Sequence, residues 1–300
     1  MAVVEEVEQA VAQVARAAGA SVVRIGRDGG RGAGVVVRDG FVVTSAHNLR
    51  GPSVTVTFAG GRVEQGEVRA ADIEGDLAVV AVDTAGAPAI EWQPAAPRMG
   101  QVVFAVAPGR GEGARVTAGQ VSTLDAAFRG PRGRLIPNGF EHTALVGRGS
   151  SGGPVTDGDG RLVGINTHRP GDGLYLALPA DSTLAERVDA LAAGQAPERR
   201  RLGVALIPGH VARRLRAAVG LPPRDGLLVR DVEAGGPADA AGIAAGDLIV
   251  TAGGSPVSSL DTLVAAIDAV ADDGSLPVTV VRGAEEVTVE VSFARPEAAG

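Results

Sequence analysis

The sequence predicts a chain that is mainly β for its first two-thirds and ends in a small mixed α/β module. Three observations predict it. Between Ser21 and Pro179, short β-prone runs ("SVVRI", "AGVVVRDGFVVTSA", "SVTVTF", "LAVVAV", "QVVFAVA", "RLVGIN" and "LYLAL") alternate with Gly, Pro, Asp and Asn turns, the spacing of an antiparallel barrel or sandwich. The 44 glycines and 18 prolines follow no period, which argues for many short strands joined by turns and against a fibre. After the polar stretch "GQAPERRR" the pattern turns to helical segments alternating with strands.

At the N-terminus, Val4, Val7, Val11, Val14 and Ala18 recur at helical spacing with Glu and Gln between them, and Gly19 ends the run. This is an amphipathic helix whose apolar face packs on the protein's own body. Thr183 and Glu186 are placed as a capping box for a helix through Leu184, Val188 and Leu191, stopped by Gly194. The last hundred residues begin with "RLGVALI" and continue through a short helical stretch with Val211, Leu215 and Val219 on one face. They then carry "DGLLVRDV", "GPADAAGIAAGDLIVTAGG", a helix with Leu260, Leu263 and Ile267, and two closing strands. The expected division is a helix over 1–20, a β domain over 21–193, a linker over 194–201 and a second domain over 202–295.

Composition removes several function classes. A chain of 300 residues, 45% hydrophobic and 21% charged, can bury real cores in two or three domains. A net charge of −7, with no basic run interleaved with aromatics, gives no general attraction to nucleic acid. With no cysteine and four scattered histidines there is no disulfide, no thiolate metal site and no expected metal or other cofactor. The first residues lack a positive n-region, and no segment reaches the roughly 18 apolar residues of a membrane span. As it stands the chain reads as cytoplasmic, or as extracytoplasmic if a leader or anchor has been removed.

Three polar residues sit in informative contexts. His47 follows the apolar run in "FVVTSAHNL", where a short turn can hold an imidazole at a strand end. Asp76 opens "DLAVVAV", so its carboxylate stands at the edge of a core and needs a partner. Ser151 lies in "GSSGGP", where glycines permit a sharp turn. "GSSGG" also matches the G-x-S-x-G elbow of α/β-hydrolases, but that motif needs a following helix and places Asp and His after the serine. Here Pro154 and β-prone residues follow, and the order His, Asp, Ser is that of a chymotrypsin-like double β-barrel.

The segments "GAGVVVRDGFVVTSAHNL", "DIEGDLAVVAV", "VTAGQVSTL", "GSSGGPV", "GRLVGINT", "LGVAL" and "GPADAAGIAAGDLIV" occur in order from residue 21 to about 295. Together they resemble the HtrA (Deg) family: a trypsin-like serine protease domain followed by a PDZ domain. The resemblance implies that Ser151 is the nucleophile, His47 the general base and then acid, and Asp76 the group that fixes the imidazole. Backbone N–H groups of Gly149 and Ser151 would hold the oxyanion, where losing one donor typically costs about 2.7–4 kcal/mol of barrier. Gly164, Ile165, Asn166 and Thr167 would pair with the substrate backbone, and Leu176 would line a small apolar pocket.

In the second domain the resemblance assigns capture of a ligand's C-terminal carboxylate to Leu202, Gly203 and Val204, with Arg201 adding charge, and a groove wall to Leu263 and Ile267. Leu260 is read as core. His142 is assigned to surface or packing, His168 and His210 to exposed turns, and Tyr175 to buried packing. Asp72 is second to Asp76 for the triad, and Arg129, Arg132 and Arg134 belong to a solvated or ligand-sensing loop. One departure stands out: the family usually has Asn before the nucleophile, where this chain has Ser150, and a smaller side chain there is expected to loosen the oxyanion turn.

The implied activity is ATP-independent endoproteolysis of unfolded or misfolded polypeptides, with C-terminal peptides as PDZ partners and a homotrimeric assembly. The rival is a chaperone-like or scaffold peptide-binding protein with a resting or inactive protease site. A third reading is a regulatory protease with one specific target.

Overall fold

The computed structural model describes residues 2–26, 32–109, 111, 113–130, 135–167, 173–197, 200–271 and 274–293. His168, Arg132, Arg134 and the side chain of Val4 lie outside this set. Contacts divide the chain at residues 197 and 198 into two units.

The first unit begins with α1 (Ala2–Ala18). Val14 and Ala18 are fully buried against the barrels, Val11 is half-buried and Val7 is exposed, so the C-terminal half of the helix does most of the packing. Strands β1 (Val22–Ile25), β2 (Gly32–Arg38), β3 (Phe41–Thr44), β4 (Ser53–Thr57), β5 (Val63–Asp72) and β6 (Leu77–Ala81) close a barrel in the order β1-β2-β3-β6-β5-β4. A second barrel is built from β7 (Val102–Pro108), β8 (Ala114–Arg129), β9 (Leu135–His142), β10 (Pro154–Thr156), β11 (Leu162–Asn166) and β12 (Tyr175–Pro179), in the order β10-β11-β12-β9-β8-β7. Closure leaves neither sheet with an unpaired edge.

Helix α2 (Ser182–Ala192) closes the unit. Its cap differs from the expected one: Asp181, not Thr183, accepts from Leu184 N at 3.0 Å, because the helix starts one residue before Thr183 and an N-cap must precede it. Leu184, Val188 and Leu191 join Val14, Val35, Val79, Phe104 and Leu162 in one core spanning both barrels. Each such aliphatic side chain contributes about 1.5–3 kcal/mol by leaving water.

Register puts the candidate residues at one place in each barrel. In β3 and β6, Thr44 pairs with Ala78; His47 lies three residues beyond Thr44 and Asp76 two before Ala78, so both emerge at the same end of the pair. In β10 and β11, Pro154 pairs with Ile165, which likewise brings Ser151 and Thr167 to one end.

The second unit holds β13 (Val204–Ile207), α3 (Gly209–Ala218), β14 (Leu227–Val232), α4 (Pro237–Ala240), β15 (Leu248–Ala252), β16 (Ser255–Pro256), α5 (Leu260–Asp268), β17 (Ser275–Arg282) and β18 (Glu285–Ser292). The sheet runs β13-β14-β15-β17-β18, with β16 on β15, so β13 has a free edge. Helix α3 is rotated by one residue from the expected face, with Val211 half-buried. Leu215 and Val219 are exposed, while Ala212 and Arg216 are buried, the guanidinium of Arg216 donating to the carbonyls of Pro222 and Gly283. Among the described residues no helix is long and apolar enough to cross a membrane.

Candidate active site

His47 sits in a single helical turn, Ala46–Asn48, directly after β3. Its Nδ1 lies 2.9 Å from each carboxylate oxygen of Asp76. Since a carboxylate only accepts, Nδ1 carries a proton, and in the neutral tautomer this leaves the lone pair on Nε2. Asp76 is 2% exposed and also accepts from the His47 backbone N–H at 3.1 Å and from Thr167 Oγ1 at 2.5 Å. A buried charge requires such partners. The residue is held at φ +50°, a left-handed conformation that Asp tolerates better than most residues.

Asp72 has a different task. It is 3% exposed, binds Arg187 of α2 at 3.0 Å and accepts from Gly75 N at 2.8 Å, so it secures the turn that presents Asp76.

The serine turn is held by both barrels. The Ser151 carbonyl accepts from Ala33 N at 2.8 Å and Asn48 Nδ2 at 2.9 Å, and Asn48 Nδ2 also donates to Thr44 Oγ1 at 3.0 Å. Gly152, at φ +88°, donates to Asn166 O at 2.6 Å. A Cβ at Gly152 would lie 2.3 Å from Ala33 O and 2.6 Å from Thr44 Oγ1; the residue must be glycine because a strand of the other barrel passes against it. Gly149 N and Ser151 N donate no hydrogen bond among the described residues, and no hydrogen bond joins Ser151 Oγ to His47. Apo sites often tighten this contact only with substrate bound.

Beside the turn is a cavity of about 160 Å³ walled by residues 146–151 and by Asn166, Thr167, Tyr175 and Leu176. Val146, Tyr175 and Leu176 give it a buried, largely apolar wall, and among the described residues no acidic side chain lines it. Tyr175 is thus both packing and pocket wall.

The expectation for Gly164, Ile165 and Asn166 is corrected. They lie in β11, flanked by β10 and β12, so their backbone is already enclosed in the barrel. Asn166 N donates to Gly153 O at 2.9 Å, and Thr167 N to Leu176 O at 3.0 Å. Among the described residues, Gly164 to Asn166 leave no open edge for a substrate strand.

His142 packs, as expected, but at the centre rather than the surface: it is 0% exposed, stacked on Tyr175 with centroids 5.8 Å apart. Burial pushes its pKa down to about 4, although its 2.9 Å contact with Asn166 Oδ1 works the other way. The ring is therefore neutral and donates through Nε2–H to Asn166, whose Nδ2 donates in turn to Gly153 O at 3.3 Å. The unfolded chain binds this proton near pH 6.5 and the folded chain only near 4. Stability should accordingly be lost as pH falls through that window, by about 3 kcal/mol at its lower end. Urea unfolding followed by fluorescence of Trp92, the single tryptophan and part of this unit, checks it: His142→Gln should flatten the dependence between pH 6.5 and 4, and identical slopes would refute the assignment.

In the second unit, Leu202 is buried and its carbonyl accepts from Ala238 N at 2.9 Å. Gly203 adopts φ +76° and its carbonyl accepts from Glu233 N at 2.7 Å, while Val204 opens β13, paired with Val232. Leu202 N and Gly203 N donate no hydrogen bond among the described residues. Two expectations are corrected. Leu263 and Ile267 are 1% and 5% exposed and belong to the core, since α5 turns them onto the sheet. Leu260, expected in the core, is 45% exposed and lines a cavity of about 570 Å³ with Leu206, Leu227, Arg213 and the exposed His210.

Sequence reasoning missed Thr44, Asn48 and Arg115. Asn48 follows His47 directly, but its partner is 103 residues away, and no local pattern announces it.

Two six-stranded barrels meeting at a Ser, His and Asp, followed by a separate sheet with a free edge, define a trypsin-like peptidase joined to a PDZ domain. Family models agree: the trypsin-like peptidase domain matches residues 32–165 and the PDZ domain residues 201–293. The putative serine protease HhoA of Synechocystis is 32% identical over 288 residues, covering 90% of this chain and 72% of that protein. The probable periplasmic DegP-like serine endoprotease of Halomonas elongata is 30% identical over 265 residues, and the chain spans 55% of that relative's length while 86% of the chain is covered. A crystal structure of the serine endoprotease from Yersinia pestis matches with a TM-score of 0.65 at 26% identity, covering 94% of this chain and 96% of that one. The HtrA-type protease AlgW with a tripeptide matches with a TM-score of 0.60 at 26% identity, covering 96% and 99%. The chain belongs to the HtrA/Deg family of serine proteases.

Proposed function

We propose that this chain is a serine endopeptidase that cuts unfolded or misfolded polypeptides without ATP, and that its PDZ domain binds C-termini to recruit substrate or regulate cleavage. The observation that carries the reading is the Asp76–His47 pair at 2.9 Å, beside a serine turn whose carbonyl is held by Ala33 N and Asn48 Nδ2 of the same barrel as His47. Nε2 takes the Ser151 proton as Oγ attacks the substrate carbonyl, and His47 then returns that proton to the leaving amine. Gly149 N and Ser151 N, which have no other acceptor among the described residues, receive the oxyanion. The apolar cavity favours aliphatic side chains next to the scissile bond.

For the PDZ domain, the N–H groups of Leu202 and Gly203, which donate to no described residue, and the edge of β13 support strand addition by a ligand's last residues. That the HtrA-type protease AlgW was solved with a tripeptide supports peptide binding. Relatives named periplasmic support an extracytoplasmic setting.

Casein cleavage, measured with and without a hydrophobic peptide bearing a free C-terminal carboxylate, tests the proposal together with labelling of Ser151 by a peptidyl phosphonate. Cleavage, a label on Ser151 and a change of rate with the peptide are expected. Peptide binding with neither cleavage nor label would turn the assignment to a binding protein.

A further inference from the structure

We infer that Arg115 is a positioning residue for the oxyanion turn, acting through Ser150. This rests on the protease reading above. Of the two donors, Ser151 N–H shares a peptide unit with the Ser150 carbonyl, and that carbonyl accepts from Gly153 N at 3.0 Å. The second donor is therefore fixed by the backbone itself. Gly149 N–H belongs to the Arg148–Gly149 peptide, which has no such anchor among the described residues. Gly149 sits at φ +81° with open space where a Cβ would be, so nothing at that residue prevents the peptide from turning over.

What borders this peptide on both sides is one guanidinium. Arg115 stands near the start of β8, opposite Ala107 of β7. Its Nη2 donates to Ser150 Oγ at 3.1 Å, on the C-terminal side of Gly149. The same group covers Gly147 on the N-terminal side so closely that a Cβ there would lie 2.8 Å from both Nη1 and Nη2. Ser150 is 2% exposed, so its hydroxyl has little access to water in place of the arginine. The arrangement also answers the departure at residue 150: a short hydroxyl there is reached by a long side chain from the neighbouring strand, and the turn is held rather than loosened.

Losing one oxyanion donor outright typically costs about 10²–10³ in kcat. Arg115→Ala only releases the restraint on Gly149, so kcat should fall roughly 10–100-fold, with KM unchanged. Affinity for a peptide boronate, whose tetrahedral adduct occupies the oxyanion site, should fall by a similar factor. The expected signature is coupling: in a Ser150→Ala background, Arg115→Ala should change kcat by less than about 3-fold, since the two residues act as one unit. Gly147→Ala, which displaces the guanidinium by its added methyl, should reproduce the kcat loss. Trp92 fluorescence and the thermal midpoint report whether each variant is folded, and Arg115→Lys provides a milder replacement should alanine unfold the chain. Wild-type kcat in folded Arg115→Ala, or an equal loss in both backgrounds, would overturn the inference while the protease reading stands. A wild type that neither cleaves casein nor takes the phosphonate would overturn both.

Discussion

Ser151→Ala should abolish proteolysis, lowering kcat by about 10⁶-fold, while the variant remains folded and still binds a C-terminal peptide. Removing Oγ takes away the atom that forms the acyl-enzyme, and the remaining groups cannot replace it: His47 can still polarise a water, but no hydroxyl is held in line with the carbonyl. The fold should be indifferent because Ser151 is anchored by its carbonyl, through Ala33 N and Asn48 Nδ2, and alanine keeps both bonds. Casein cleavage, Trp92 fluorescence and peptide affinity measured on one preparation check the three parts. Residual cleavage within 10-fold of wild type would place the nucleophile elsewhere, since a nucleophile is worth far more than that.

Asp76→Asn should come second, with a loss of about 10⁴-fold in kcat. The replacement has nearly the same shape, so the turn between β5 and β6 and its bond from Thr167 can persist, the threonine hydroxyl rotating to donate or accept. What changes is the tautomer. The His47 backbone N–H donates to Asp76 Oδ1 at 3.1 Å, and Nδ1 lies 2.9 Å from both Oδ1 and Oδ2. With an amide there, the oxygen suits the backbone donor, and the NH₂ turned toward Nδ1 demands a lone pair. The ring proton then sits on Nε2, where it blocks proton transfer from Ser151. Steady-state kinetics on a peptide substrate, with unfolding by urea as control, provide the check. A loss below 10-fold would mean that the ring is oriented by something other than Asp76.

The residues we propose as catalytic were legible because each stands where an apolar run meets a turn. His47 ends one such run and Asp76 begins another, and the glycines around Ser151 marked a strained turn. Much of the first barrel was legible for the same reason: "VVVRDGFVV" shows its hairpin directly. Strand β5 was not, because its inward positions are filled by Gly66, Ala70 and the charged Asp72, which carry little hydrophobic signal. Strands β8 and β9 are half-exposed and bulged, with Asp125 and Asn138 at positive φ, and "LIPNGFEH" contains the residues that usually mark turns.

The groups that support the site are illegible for a different reason. Thr167 meets Asp76 across 91 residues, and Arg115 meets Ser150 across 35, so only the closed barrels bring them together. In the PDZ domain the choice between Leu260 and Leu263 turned on helix phase. Both lie on the apolar side of α5, and the capping box of Ser259 with Thr262 fixes which of them the sheet receives.

His47 and Asp76 belong to the first barrel and Ser151 to the second, and the bonds from Ala33 and Asn48 to Ser151 and from Thr167 to Asp76 cross the seam between them. Neither half holds a complete set of reacting groups. During synthesis the ribosome delivers the imidazole and its carboxylate first and the hydroxyl some 75 residues later, so a nascent chain cannot cut its neighbours or itself until the second barrel has formed and docked. Competence to cleave is thus a property of the finished alignment of the two halves: a shear at the seam would silence the enzyme while every strand remained intact.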